Sequence, residues 1–224
     1  MAVKRKVRRT SAPRTKRVHG EESRERILEA ARQIAGERGY DGTSIALVSE
    51  RSGLPASSIY WHFEDKDHLI AAVIERSFNR WLEGIGVWIP PKKGATREER
   101  FAASLRRTAK ALSDAPDFLR LGLMLALERR PEEATARTLF LQVREQSYKQ
   151  ILASYEAFFQ GELDAKGVRA LATLTMAAAD GLFIAREVDG DAQSFEASFE
   201  LLGAALLGAA DHLARRRSRS VRDR

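Results

Sequence analysis

Between residues 43 and 63 the apolar positions fall on two short helical faces separated by a turn. Ile45 and Val48 mark the inner face of the first helix, and Ile59 and Phe63 mark that of the second. Gly53 lies between them as the turn residue, and Leu54 follows it, placed to plug the angle between the helices. Two short helices meeting steeply at a glycine form the helix-turn-helix pattern, whose second helix enters a DNA major groove.

Upstream, Ile27, Ala30, Ala31, Ile34 and Ala35 recur at the helical period, which predicts a first helix with Ser23 as N-cap and Gly39 as terminator. Downstream, Asp65 is placed to cap a fourth helix from Lys66 towards Gly84, with a wide stripe of Leu69, Ile70, Val73, Ile74, Phe78, Trp81, Leu82 and Ile85. A stripe of that width suits a connector packed on both sides. Gly84, Gly86, Pro90, Pro91 and Gly94 then predict a loop. Beyond it no strand-like alternation occurs. Helices are expected over 97–112, over 118–127 (apolar except Arg120, hence buried nearly all round), from Pro131 to about Gln160, over 166–188 and over 194–216. The expected fold is all-α, with about nine helices.

Charge divides the chain further. Residues 1–18 hold eight Lys or Arg and no acid, and residues 215–224 hold six Arg against Asp223. The total is +7, so the stretch between these ends carries −6. Such like-charge blocks read as solvated arms that bind nucleic acid, or that only aid solubility. The expected organisation is a basic arm (1–18), a helix-turn-helix domain (19–66), a helical regulatory and dimerisation domain (67–214) and a basic tail (215–224). There is no cysteine, which excludes disulfides and thiolate metal sites. No signal-peptide core follows the basic start, and no apolar run is read as a membrane span, so a cytoplasmic location is expected.

In the last predicted helix Phe195, Phe199, Leu202, Leu206, Ala209 and Leu213 form a coiled-coil-like seam, with Gly203, Ala204, Ala205, Gly208 and Ala210 around it. The helix before it offers Leu171, Leu174, Ala178, Leu182 and Phe183. Two such helices can meet their symmetry mates as a four-helix homodimer interface, or pack within one protomer. Candidates to line an internal cavity are Trp88, Phe101, Leu105, Phe118, Leu121 and Met124, with Leu125, Phe140, Tyr148, Ile151 and Met176. Core packing is the competing reading for each of them. Arg120, Arg144 and Asp180 are charges in apolar surroundings, placed either to orient a polar group of a ligand or to pair with one another. The apolar candidates favour a hydrophobic or amphipathic small-molecule effector. His19, His62, His68 and His212 have no metal-ligand spacing, and neither a phosphate loop nor a serine elbow is present. No enzyme, metal or cofactor is expected.

ILEAA at 27–31, GYDGTS at 39–44, GLPASSIYWHF at 53–63 and KDHL at 66–69 together resemble the TetR (tetracycline-repressor) family of bacterial transcriptional regulators. The resemblance covers about a quarter of the chain. It implies a homodimer on a roughly palindromic operator in double-stranded DNA, with a small molecule bound in the helical body altering the separation of the reading helices. By position it implies that Thr43 and Ser44 cap the second helix, whose amino end attracts a phosphate. It places Ala56, Ser57 and Ser58 at base edges and Tyr60, His62 and Lys66 on phosphates, with Trp61 between the recognition surface and packing. Three departures stand out. Ala46 and Ala56 replace residues often basic in the family, and Pro55 replaces a common capping serine. Residues 19–78 hold eleven acids against seven Lys or Arg. The basic arm, with Arg14, Lys16 and Arg17 at its inner end, is the expected compensation. The expected function is a DNA-binding regulator, a repressor released by an apolar effector. The alternative is a DNA-binding protein of the same fold without an effector, controlled by a protein partner or acting architecturally.

Overall fold

The computed structural model describes residues 14–85, 94–128, 134–190 and 194–222, without the side chains of 14–18 and 218–222. The described residues form nine α-helices and no strand: α1 (Arg14–Arg38), α2 (Ile45–Ser52), α3 (Ala56–His62), α4 (Lys66–Ile85), α5 (Arg97–Asp114), α6 (Asp117–Leu127), α7 (Thr135–Phe158), α8 (Ala165–Asp189) and α9 (Phe195–Arg222). Two compact units divide the chain, one ending at Val73 and the other beginning at Ile74, so the division falls inside α4.

In the first unit α1–α3 close around Ile27, Leu28, Ala31, Ile34, Val48 and Ile59. α1 starts nine residues before Ser23, which is therefore a mid-helix residue and not a cap. The Ser23 hydroxyl donates back to the His19 carbonyl at 2.8 Å, the other use a helical serine has for its oxygen. Residues 14–18, assigned to the arm by charge, are backbone of this helix; residues 1–13 lie outside the described ones.

In the second unit α5 lies along α9, and α8 lies between α7 and α9. Thr96 and Glu99 form a reciprocal capping box that starts α5, and Asp164 caps α8 by accepting from the Gly167 N–H. The Ser77 hydroxyl donates to the Ala115 carbonyl and accepts from the Phe118 N–H, fixing α4 to the corner between α5 and α6. Phe101, Tyr155, Phe158 and Phe159 pack as one aromatic cluster. Within it the Thr175 hydroxyl donates to the Leu171 carbonyl, so the Tyr155 hydroxyl donates to Thr175 at 2.8 Å. Burial pushes the Tyr155 phenol up to about 12.

Four expectations change here. α6 is not buried all round, because Met124 and Leu127 are exposed. The basic tail is not separate from the last helix, since α9 continues to Arg222. And α8 is, among the described helices, long and apolar enough to cross a membrane, where no such run was expected. It is packed along α7 and α9 and holds Asp180 in an ion pair with Arg144. The helix expected to open at Pro131 begins at Thr135, and Pro131 itself lies outside the described residues.

Candidate nucleic-acid interface

The turn that sets α3 against α2 is built from local chemistry. Ser44 caps α2 with its hydroxyl oxygen accepting from the Leu47 N–H at 3.3 Å. Gly53 ends α2 in the left-handed region at φ 66°, a conformation that L side chains adopt at a cost. The Ser49 hydroxyl donates to the Leu54 carbonyl at 2.7 Å, and Arg26 on α1 donates to the Ser52 carbonyl at 2.7 Å. Arg51 forms a two-pronged pair with Glu37 at 2.8 and 3.0 Å, and this hydrogen bonding draws the Glu37 carboxyl below its ordinary value. Arg26 and Arg51 thus tie α2 to α1.

Held this way, α3 buries Ile59 and presents Ser57, Tyr60 and Trp61 to solvent. Tyr60 is 57% exposed and Trp61 is 76% exposed, high values for aromatic side chains on a short helix. Ala56 and Ser58 are half-buried at its first turn. Trp61 meets His62 edge-on at 4.5 Å between ring centres. Its six-membered ring also lies close enough to Gly20 on α1 that a Cβ there would touch it at 3.7 Å. Burial first, and then the charge of Arg24, push the His62 imidazole below its ordinary value, which favours the neutral ring with one N–H to donate. Asp65 caps α4, accepting from the His68 N–H at 2.8 Å and facing the His68 ring at 3.0 Å.

Two of the expected contact residues are committed elsewhere. Thr43 is buried, and its hydroxyl donates to the Gly39 carbonyl at 2.8 Å, so its side chain holds the α1–α2 turn and does not reach an external phosphate. The Lys66 ammonium donates to the Tyr40 carbonyl at 3.2 Å and lies 4.2 Å from the centre of the Tyr40 ring, while the Tyr40 hydroxyl donates to Asp67. Lys66 has protons left for a phosphate, but its position is fixed by the turn. The backbone of Arg14, Lys16 and Arg17 is helical, and their side chains lie outside the described residues.

A family model described as bacterial regulatory proteins of the tetR family matches residues 27–73, which span α2, the turn at Gly53 and α3. Through these residues the chain is similar to the regulatory proteins of the tetR family. The HTH-type transcriptional regulator AcrR of Shigella flexneri is 33% identical over 57 residues, 25% of this chain and 26% of that protein. The HTH-type transcriptional repressor AcnR of Corynebacterium glutamicum is 36% identical over 61 residues, 27% of this chain and 32% of its own length. The chain thus spans about a quarter to a third of the length of these curated relatives. The crystal structure of a transcriptional regulator from Rhodococcus sp. Rha1 superposes with a TM-score of 0.63 over 84% of this chain and 98% of that one. At 19% identity it shows the shared fold, including the helical carboxy-terminal part.

In the helical second unit the expected ligand residues separate into groups. Phe101, Leu105, Phe118, Leu121, Leu125 and Phe140 are buried, Tyr148, Ile151 and Met176 are half-buried, and Met124 is exposed. Trp88 lies outside the described residues. Arg144 is paired with Asp180, Nη1 to Oδ1 at 3.0 Å, and Arg120 grips Glu187 through two bonds at 2.6 and 3.0 Å.

The expected dimer seam also divides. Leu171, Phe195, Phe199 and Leu206 are buried within the protomer, where α9 packs on α5, and Leu202, Ala209, Leu213, Ala178 and Leu182 are half-buried. Only Leu174 of that set is exposed. The free face lies one step round each helix. On α8 it runs Ala170, Leu174, Ala177, Gly181, Ile184 and Val188, and on α9 it runs Ala197, Leu201, Ala204, Ala205 and Gly208, all exposed. Sequence periodicity carried this signal too, because neither run contains a charge.

Proposed function

We propose that the protein is a transcriptional regulator that binds a roughly palindromic operator as a homodimer in the bacterial cytoplasm. It acts as a repressor released by a small, largely apolar effector. The reading is carried by one observation: Ser57, Tyr60 and Trp61 are displayed together on a helix whose turn is fixed by Gly53, Arg26 and Ser49. A serine hydroxyl at a base edge donates or accepts, and phenol and indole groups reach backbone or apolar base edges. The names of the relatives, regulators and repressors, support the same class.

Ser57→Ala should relax base preference at one symmetric pair of operator positions, by about 1–3 kcal/mol. Tyr60→Phe should weaken binding nearly equally across operator variants. Anisotropy titrations against a panel of single-base operator variants separate the two patterns. Uniform loss for Ser57→Ala, or no loss for either variant, contradicts the assignment.

The homodimer is supported by the outer face of α8 and α9. Gly181 and Gly208 sit in the middle of these helices, where glycine costs roughly 1 kcal/mol relative to alanine. A Cβ added at either meets no atom within 4 Å, so the protomer itself supplies no reason for glycine. Close approach of a second copy supplies one. Leu201, 73% exposed on that face, is the natural probe. Leu201→Lys should weaken self-association about tenfold or more, read by sedimentation equilibrium or light scattering, while helix content stays unchanged. An unaltered dimer constant would move the interface elsewhere.

A further inference from the structure

At one end of the second unit, exposed cations collect from two helices. Arg186 on α8 lies 5.0 Å from the centre of the Phe195 ring on α9. At the opposite end Arg97 donates both to Glu162, just before α8, and to Asp211 on α9. The two helices are therefore antiparallel. Counting the same number of residues back along α8 from Arg186 and forward along α9 from Phe195 brings Lys166 level with Arg215. Lys166, Arg169, Arg215, Arg216 and Arg217 are all exposed and fall within about one turn of that level.

The acids at this end are spent inside the protein. Glu162 and Asp211 share Arg97, and Asp164 caps α8 by accepting from the Gly167 N–H. Asp223 is the one acid of residues 215–224, against six Arg. Helix electrostatics does not account for the placement of the cations. The carboxyl end of a helix favours positive charge within its last turn, whereas Arg215, Arg216 and Arg217 precede the last turn of α9. The amino end disfavours positive charge, yet Lys166 stands in the first turn of α8, which holds no acid. Like charges gathered this closely repel one another, and a polyanion relieves the repulsion.

The surroundings select the polyanion. Among the described residues, no large apolar side chain is exposed over 159–169 or 208–217. A membrane-surface helix needs an apolar face, a single strand needs exposed aromatic rings, and a protein partner needs an apolar anchor. A duplex backbone needs none of these. It offers closely spaced phosphates, which arginine forks take two oxygens at a time.

We propose that this end of the second unit is a sequence-independent binding surface for the phosphate backbone of duplex DNA. Its residues are Lys166, Arg169, Arg215, Arg216 and Arg217, none of them on α3. The surface is independent of the operator reading: α3 selects sequence, and the basic end adds attraction that any duplex supplies.

The test titrates full-length protein onto a mixed-sequence duplex without two-fold symmetry, by anisotropy over a range of salt. Arg215→Gln, Arg216→Gln and Arg217→Gln together should lower affinity about tenfold or more at 0.1 M salt and flatten the slope of log K against log salt by about 2. Lys166→Gln with Arg169→Gln should flatten it by about 1, although both residues lie outside the basic tail. Lys110→Gln with Lys149→Gln removes the same charge from exposed lysines already paired with Asp114 and Glu145, and should change the slope by less than about 0.5. Every substituted position is exposed, so helix content should stay unchanged, and the variants are compared at concentrations where they sediment alike. Unchanged affinity and slope in the arginine variant overturns the proposal, as does an α8 pair with no larger effect than the control pair. Tighter binding to a single strand of the same length overturns it as well. So does loss of adsorption to vesicles of equimolar phosphatidylglycerol and phosphatidylcholine while duplex binding stays intact.

Discussion

Replacing Gly122 with alanine should destabilise the protein by about 3 kcal/mol or more, at the upper end of the cost of overpacking a core. A Cβ at Gly122 on α6 would lie 2.0 Å from a ring carbon of Phe140 on α7, with two further ring atoms within 2.4 Å. No rotamer change at position 122 relieves this, because a methyl has none, and Phe140 is itself 1% exposed. Either α6 and α7 separate or the Phe140 ring leaves its place. Urea denaturation of Gly122→Ala measures the loss. Phe140→Leu in the same chain should restore part of it, since the smaller side chain vacates the volume the methyl needs. A Gly122→Ala protein as stable as its parent would mean that α6 and α7 do not meet at these two residues.

The second large effect concerns affinity for DNA. Residues 19–78 carry more acids than bases, while residues 2–13 carry Lys4, Arg5, Lys6, Arg8 and Arg9 and no acid. Exchanging residues 2–13 for an uncharged stretch of equal length should weaken operator binding about 100-fold at 0.15 M salt. Each phosphate that is no longer neutralised flattens the dependence of log K on log salt by about 0.9, so five of them would take up to about 4.5 from the slope. Because α1 starts at Arg14, this exchange stops short of the helix and leaves Arg14, Lys16 and Arg17 on it. Extending it through residue 17 should add to both effects. Unchanged affinity together with an unchanged slope would assign the attraction to another part of the chain. A lower affinity at constant slope would point to interactions other than phosphate neutralisation.

The sequence was most readable where one residue decides the local structure. The turn at Gly53, the cap at Ser44, the cap at Asp65 and the thin inner face of α3 follow from residue type and spacing over a few positions. Ser23 misled because a serine before an apolar run suits an N-cap, yet its hydroxyl serves equally well inside a helix. Thr43 misled differently. Which partner its hydroxyl takes depends on the Gly39 carbonyl being brought back over it by the turn.

The longer helices show the limit of periodicity. A stripe of Phe195, Phe199 and Leu206 says that one face of α9 is buried, but not whether α5 or a second copy buries it. The uncharged run through Leu201 and Gly208 was equally visible, and looked weaker only because its residues are small. Interactions between distant segments had no local signal at all. The approach of Phe140 to Gly122 and the pairing of Arg120 with Glu187 both require the assembled body.

The central claim is that α3 reads DNA in two symmetric copies. Selection of binding sites from random-sequence duplexes by the full-length protein tests it most directly. The account predicts enrichment of a two-fold-symmetric site whose half-sites lie about one helical turn, or a multiple of it, apart. Recovery of duplexes with no shared sequence, or of a single unpaired half-site, would contradict it.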